Sequence, residues 1–263
     1  MSFLKILAIG DVCGSIGCEM LKKHLPQIKK KYDIDLTIVN GENSADGNGI
    51  SKDSASLIFN CGADVITGGN HTMRRPEIHP VLDENERLLR PHNLSKANYG
   101  SGYCLVDMGS VLVAVINLSG QIYLERTEAT NPFLAADELI NRAHADGAHI
   151  IVVDFHAEAT SEKRALGFYL NGKVSLLFGT HTHIQTADEQ ILSEGTAYIT
   201  DLGMTGPLNS VLGVKPSIII ERLRNNNMSR FELADEPCSI EGIVVEIDKA
   251  TKKAVFIERI NLK

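Results

Sequence analysis

An α/β fold is what this sequence predicts, on three observations. Six short apolar runs each stop abruptly at a polar loop, helix-like stretches lie between several of them, and the tail changes to two β-rich runs around a turn. The 263-residue chain is 43% hydrophobic and 22% charged, a balance that suits a folded core and argues against disorder. It exceeds the usual domain length of roughly 100–200 residues, yet α/β domains reach this size. No linker composition, low-complexity tract or fixed-period repeat divides it, so residues 1–263 are expected to form a single domain.

The first apolar run, 3–9, ends in Gly10 and Asp11. A helix is expected after Gly17, burying Met20, Leu21, Leu25 and Ile28, with Pro26 bending or shortening it. The run 36–39 ends in Asn40, Gly41, Glu42 and Asn43. A helix over 52–61 carries Leu57 and Ile58 and stops at Gly62. The run 65–67 ends in Gly68, Gly69, Asn70 and His71. The segment 118–131, with Gln121, Tyr123, Arg126 and Thr127, is polar and lacks periodicity. An ordinary surface loop is its plainer reading; a substrate lid, with Tyr123 stacking on a base and Arg126 facing phosphate, is the alternative.

The clearest helix follows at 132–146, with Asn131 as cap, Pro132 in the first turn and Gly147 at the end. Phe133, Leu134, Ile140 and Ala143 supply much of its apolar face. The run 150–153 leads to Asp154, Phe155 and His156, and the run 174–178 to Gly179, Thr180, His181, Thr182 and His183. The run 197–200 stops at Asp201, Leu202 and Gly203. Short β-rich runs without alternation read as strands buried on both faces. The β-rich tail segments 239–247 and 254–260 flank the turn 248–252 and predict a C-terminal β-hairpin over 239–260.

The net charge of −7 disfavours a broad footprint for duplex nucleic acid. It does not exclude a small phosphate substrate, because a bound metal reverses the sign locally. No apolar run approaches the roughly 18 residues that span a bilayer, and the N-terminal run is too short for a signal peptide, so neither membrane insertion nor export is predicted. Five cysteines without a CxxC pair predict no disulfide framework and a reducing, cytoplasmic setting. Gly10, Gly14 and Gly17 lack the spacing of a dinucleotide-binding loop. The lysines at 22–23 and 29–31 read as a solvated helix face, and a small homo-oligomer is expected on general grounds alone.

In α/β folds, ligands bind outside the carboxyl ends of the strands. Asp11, Glu42, Asn43, Asn70, His156, His181 and His183 all fall there, with His71 beside Asn70. Each residue alone is as well explained by a cap, a turn or a satisfied interior histidine. Their joint placement is not. Carboxylate, amide and imidazole donors together suit manganese, iron, zinc or a related divalent ion, and the absence of cysteine pairs argues against a closed structural zinc site. Seven candidates exceed one tetrahedral ion but suit two ions sharing a carboxylate, as recurs in phosphatases and nucleases. His181 and His183, two apart on a turning backbone, can reach neighbouring ions. Glu158, Glu162 and Lys163 are either supports for His156 or plain loop charges.

Gly10-Asp11, the Gly-Glu-Asn at 41–43, the Gly-Asn-His at 69–71 and the Gly-Thr-His-Thr-His at 179–183 resemble the motifs of the calcineurin-like metallophosphoesterases. The segments 40–43, 154–163 and 200–206 are similar, more narrowly, to the bacterial YmdB-like branch, and the likeness runs from Leu4 to Ile260. Two positions depart from the wider superfamily: Cys13 stands where a histidine is usual, and Glu42 where an aspartate is usual. The branch tolerates both, with Asn43 replacing the lost ligand; Cys13 itself reads first as a buried small hydrophobe, with thiolate coordination of zinc or iron as the lesser alternative.

The resemblance implies a β-sandwich of two sheets flanked by helices, with metals at the C-terminal ends of strands. It implies two divalent ions, iron or manganese before zinc. Asp11, Glu42, Asn43 and His183 would hold one, and Glu42, Asn70, His156 and His181 the other. His71 would be the catalytic residue that meets the phosphate or leaving group. The implied activity is a phosphodiesterase acting on cyclic nucleotides such as 2′,3′-cyclic nucleoside monophosphates. A phosphomonoesterase or nucleotidase with the same site, or a weakly active metal-binding regulatory scaffold, is the alternative.

Overall fold

The computed structural model describes residues 2–46, 48–95, 98–227 and 230–263. The chain begins with β1 (Phe3–Ile9), β2 (Asp11–Val12), α1 (Gly14–Tyr32), β3 (Leu36–Asn40), α2 (Lys52–Asn60), β4 (Val65–Thr67) and α3 (His79–Glu84). It continues through β5 (Tyr103–Asp107), β6 (Leu112–Ser119), α4 (Pro132–Ala145), β7 (Ile150–His156), α5 (Thr160–Leu170) and β8 (Leu176–Thr180). It closes with β9 (Gln190–Ile191), β10 (Ala197–Ile199), β11 (Met204–Pro207), α6 (Pro216–Asn225), β12 (Cys238–Asp248) and β13 (Ala254–Leu262).

Two sheets form. In the first, β1, β3 and β4 run parallel, while β12 pairs antiparallel with β1, β11 and β13. In the second, β6, β7, β8 and β10 run parallel, with β5 and β9 as antiparallel edges. Alternate residues of a strand face opposite ways, and the burial follows. Leu4, Ile6 and Ala8 join Val113, Val115, Val152, Leu176 and Phe178 in a core between the sheets. Leu7 and Ile9 face outward onto Leu21, Leu25 and Ile58 of α1 and α2. On the far side, Ala114, Ile116 and Val153 pack on Leu139 and Ala143 of α4 and Leu166 and Leu170 of α5. The result is helix, sheet, sheet, helix. Both strand faces are covered, which is why the strands read as unbroken apolar runs. The sandwich of two sheets flanked by helices is as expected.

Several boundaries differ from expectation. Helix α1 starts at Gly14, ahead of the expected start after Gly17, and passes through Pro26 unbroken. The burial of Leu25 and Ile28 on either side offsets the one backbone hydrogen bond that proline removes. Met20 is only partly buried. In α4 the buried face is Ala135, Ala136, Leu139, Ile140 and Ala143, and Leu134, expected on it, is 70% exposed. The segment expected as a loop from 118 begins inside a strand, because Leu118 and Ser119 complete β6. The remainder is fastened: Glu162 accepts hydrogen bonds from the backbone N–H of Gln121 and Ile122, and Thr130 N–H donates to Asn93 O. The tail hairpin forms, and Asp248 Oδ1 ties its turn by accepting from Ala250 N and Thr251 N at 2.8 and 2.9 Å. Among the described residues no helix is long and apolar enough to cross a membrane, and all five cysteines are free and buried.

Candidate metal centre

The C-terminal ends of β1, β3 and β4 in one sheet and of β7 and β8 in the other meet at one edge of the sandwich. Asp11 follows β1, within β2; Glu42 and Asn43 follow β3; Asn70 and His71 follow β4. His156 is the last residue of β7, and His181 and His183 follow β8. All eight residues singled out in the sequence are brought together. Glu42, His156 and His181 offer donor atoms within 4.8 Å of one another, a group able to hold a metal ion.

The imidazoles of His156, His181 and His183 each commit one nitrogen to an oxygen outside the centre. Thr180 Oγ1 donates its single proton to Asp154 Oδ1 at 2.7 Å, so it accepts from His156 Nδ1–H at 2.9 Å. His156 Nε2 is thereby turned inward. It lies 2.9 Å from Asn70 Oδ1, 3.1 Å from His181 Nδ1 and 3.4 Å from Glu42 Oε2. His181 sets its Nε2 2.9 Å from Glu158 Oε2, which leaves Nδ1 facing His156. His183 sets Nδ1 3.3 Å from Leu212 O and turns Nε2 toward Asp11 Oδ1, 3.7 Å away. Ring nitrogens and carboxylate oxygens that face one another at such distances need a proton or a metal cation among them.

The carboxylates sharpen the point. Asp11 Oδ1 is buried with no hydrogen-bond donor among the described residues, while Oδ2 accepts from His181 N–H at 3.1 Å. Burial pushes Asp11 up, against the pull of His183 and His156. Burial acts on Glu42 in the same sense, but His156 and His71 outweigh it and hold its carboxyl well below the usual range. His181 is driven down to about 3, by burial and by neighbouring His156, so its ring is neutral and available as a ligand. Gly69 completes the cradle: a Cβ there would stand 2.3 Å from both Glu42 Oε2 and His156 Nε2. The donor set, the orphaned oxygen and this reserved space all fit a bound divalent metal.

Behind the ligands lies a second polar layer that sequence reasoning missed. Asp154 Oδ2 accepts from Thr67 Oγ1 at 2.5 Å and from Asn40 Nδ2 at 3.0 Å. Burial pushes Asp154 up to about 6, which leaves it mostly ionised at neutral pH. A signal existed: Asn40, Thr67, Asp154 and Thr180 are polar residues at or just past the ends of apolar runs, within the last residues of β3, β4, β7 and β8. The residues read as either supports for His156 or loop charges act elsewhere. Glu158 touches His181, Glu162 pins the backbone at 121–122, and Lys163 Nζ pairs with Asp201 Oδ2 at 2.6 Å in complete burial. Asp201 Oδ2 also accepts from Thr182 N and Oγ1 at 3.1 and 2.8 Å, so this pair holds the turn between His181 and His183. That turn needs holding, because both histidines adopt left-handed backbone, at φ +100° and +61°. Such residues cost about 1–3 kcal/mol each and persist only where their surroundings fix them.

His71 stands at the rim. Its N–H donates to Glu42 Oε2 at 2.9 Å, and its Nδ1 lies 3.0 Å from Asn43 Oδ1. Asn43 turns its amide nitrogen to Glu42 Oε1 at 2.7 Å and to His183 Nε2 at 3.2 Å. His71, Glu42, Asn43, His181 and His183 line one end of a cavity of about 350 Å³. Cys13 is buried, with Sγ 3.7 Å from His183 Nδ1, on the nitrogen turned away from Asp11. In the loop after β6, Tyr123 is 74% exposed, and Arg126 lines a different cleft together with Asn70.

A family model described as YmdB-like protein matches residues 7–260. The chain is 48% identical, over 98% of its length and 96% of the relative's, to a 2′,3′-cyclic-nucleotide 2′-phosphodiesterase of Bacillus subtilis (strain 168). A crystal structure described as a novel phosphatase from Mycoplasma pneumoniae superimposes with a TM-score of 0.94 at 36% identity, covering 100% of this chain and 94% of that one. A 5′-nucleotidase precursor from Thermus thermophilus shares the fold alone, with a TM-score of 0.58 at 13% identity over 99% of this chain and 54% of that one.

Two outcomes follow from the geometry. Gly69→Ala should fold yet bind metal at least about tenfold more weakly, the scale on which disturbed metal sites respond; unchanged metal content by elemental analysis would refute the cradle. Lys163→Met should lower unfolding free energy by about 3–5 kcal/mol, because it strands a buried carboxylate. In urea titrations, the double variant Lys163→Met with Asp201→Leu should recover much of that loss. A loss in the double equal to the sum of the two singles would show the pair to be uncoupled.

Proposed function

This chain belongs to the YmdB-like family of metallophosphoesterases and is a phosphoric ester hydrolase; we propose that it is a phosphodiesterase that opens 2′,3′-cyclic nucleoside monophosphates at a two-ion centre. One observation carries the metal part of this reading. Three imidazoles with their outer nitrogens bound to oxygen, together with the unpartnered Asp11 Oδ1, converge on space bounded by Glu42. The substrate part rests on the identity to the Bacillus subtilis relative.

Asp11, Glu42, Asn43 and His183 would hold one ion, and Asn70, His156 and His181 would hold the other, with Glu42 shared. A half-turn of the Asn43 amide presents its oxygen in place of its nitrogen. The hard carboxylate and amide oxygens with neutral imidazoles suit iron or manganese, with zinc as a third choice. Such ions supply Lewis-acid polarisation of phosphoryl oxygens and acidify a water that attacks phosphorus.

The protein's own part is positioning and proton transfer. Thr180, Glu158 and the Leu212 carbonyl fix the ring orientations, so no imidazole has to turn during the reaction. The oxygen of water joins phosphorus, the bond from phosphorus to the ribose 2′ oxygen breaks, and that oxygen takes a proton. His71, held through its backbone and Nδ1 by Glu42 and Asn43, keeps Nε2 for the departing oxygen. The product is a nucleoside 3′-phosphate. A cytoplasmic location agrees with the free cysteines, and a small homo-oligomer remains part of the proposal.

Chelator-stripped protein is expected to hydrolyse 2′,3′-cyclic AMP only after manganese or iron is restored; a folded protein inactive with every divalent metal tried would overturn the reading, as would activity confined to monoesters. His71→Ala should keep its metal and slow the cyclic substrate by about 10²–10⁴-fold, the usual worth of a general acid. Unchanged turnover would remove that role. Glu42→Ala should lose metal outright, and full occupancy would contradict its sharing between ions.

A further inference from the structure

The cavity at the metal centre has two unlike ends. At one are Glu42, Asn43, His71, His181 and His183. At the other is an apolar wall of Val211, Leu212, Val214, Ile219, Phe231 and Leu233, all from the chain between β11 and β12. Among the described residues no lysine or arginine lines the cavity. The two ends are joined: Leu212 O lies 3.3 Å from His183 Nδ1, and the wall therefore begins where the centre stops. Val214 and Leu233 form a bridge that sets the two arms of this segment side by side.

Phe231 is 49% exposed in this wall, an unusual position for a phenylalanine next to polar chemistry. The Arg222 guanidinium sits 4.8 Å from its ring centroid and steadies the ring by a cation–π contact. A steadied, half-open aromatic surface beside a polar end is what stacking a flat heterocycle requires. The other cleft that reaches the centre, through Asn70, also holds aromatic rings, but His79 and Tyr99 there stack on each other at 4.6 Å.

Building on the phosphodiesterase reading, we propose that this wall seats the nucleobase of the substrate, with Phe231 as its stacking surface and as a determinant of preference for nucleoside over base-free cyclic phosphates. The cavity of about 350 Å³ lies in the range of small-ligand pockets.

The test compares two five-membered cyclic diesters on the metal-loaded enzyme: 2′,3′-cyclic AMP and glycerol 1,2-cyclic phosphate, which lacks a base. The readout is the ratio of their kcat/KM values. Phe231→Ala should lower that ratio by about 5- to 100-fold, mainly through KM for the nucleotide, since a base stacked on an aromatic ring is worth that much in affinity. Phe231→Tyr should preserve it. Leu223→Ala, which changes an 80% exposed residue of α6 outside the wall, should leave it as in the wild type and so controls for disturbance of the segment. A ratio unchanged in Phe231→Ala, or an equal loss on both diesters, would overturn the assignment. A wild type that hydrolyses neither diester would instead overturn the phosphodiesterase reading, and the base seat with it.

Discussion

Four buried carboxylates at one edge of the sandwich set the problem that the surrounding structure solves. Asp11, Glu42, Asp154 and Asp201 are each almost wholly removed from water. Buried charge is tolerated only when it is paired or hydrogen-bonded. Asp201 is matched by Lys163 and by donors from Thr182 and Gly203. Asp154 is met by two hydroxyls and an amide. Glu42 is met by the His71 backbone and the Asn43 amide, and Asp11 is left with an oxygen that no donor among the described residues reaches. The gradient from full to partial satisfaction runs from the support layer to the ligands. The unmet demand sits where a cation would act.

Much of this was legible in the sequence, for a physical reason. Strands covered on both faces must be apolar throughout, so the point where a run of Val, Ile and Leu stops marks a strand end. Asp11, Glu42, Asn70, His156 and His181 could therefore be placed at one edge before any contact was known. The hairpin of β12 and β13 was equally plain, because its β-rich arms flank a turn that Asp248 can tie. What escaped was of a different kind. Strands β5 and β6 have no conspicuous residue at their ends, and α5 and α6 follow loops that offer no cap from Ser, Thr, Asp or Asn.

The support layer also escaped, since pairing across distant segments leaves no local pattern. Nothing near Lys163 names Asp201, which lies on another strand's end. The same limit explains why Glu158 and Lys163, close to His156 in the chain, could be read either as its supports or as loop charges, when they serve the turn at 181–183 instead. Leu134 is a different case: at about 100° per residue it falls on roughly the opposite side of α4 from Ala143, so the helical spacing itself turns it to solvent. A larger cavity, about 500 Å³, lies elsewhere, lined by residues such as His149, Ser175 and Gly195 and by none of the candidate ligands. Volume alone would have pointed away from the chemistry.

The candidate donors come from both sheets: Asp11, Glu42, Asn43 and Asn70 from one, His156, His181 and His183 from the other. An ion held among them is a rivet through two layers that otherwise meet through apolar side chains, which resist separation far more than they resist sliding. Occupancy then becomes a mechanical property of the whole sandwich. By linkage, a ligand at about a hundred times its dissociation constant adds about 2.7 kcal/mol to the folded state. Here that increment would act across the junction of the two sheets, so metal supply would set how firmly the sandwich as a whole is held folded.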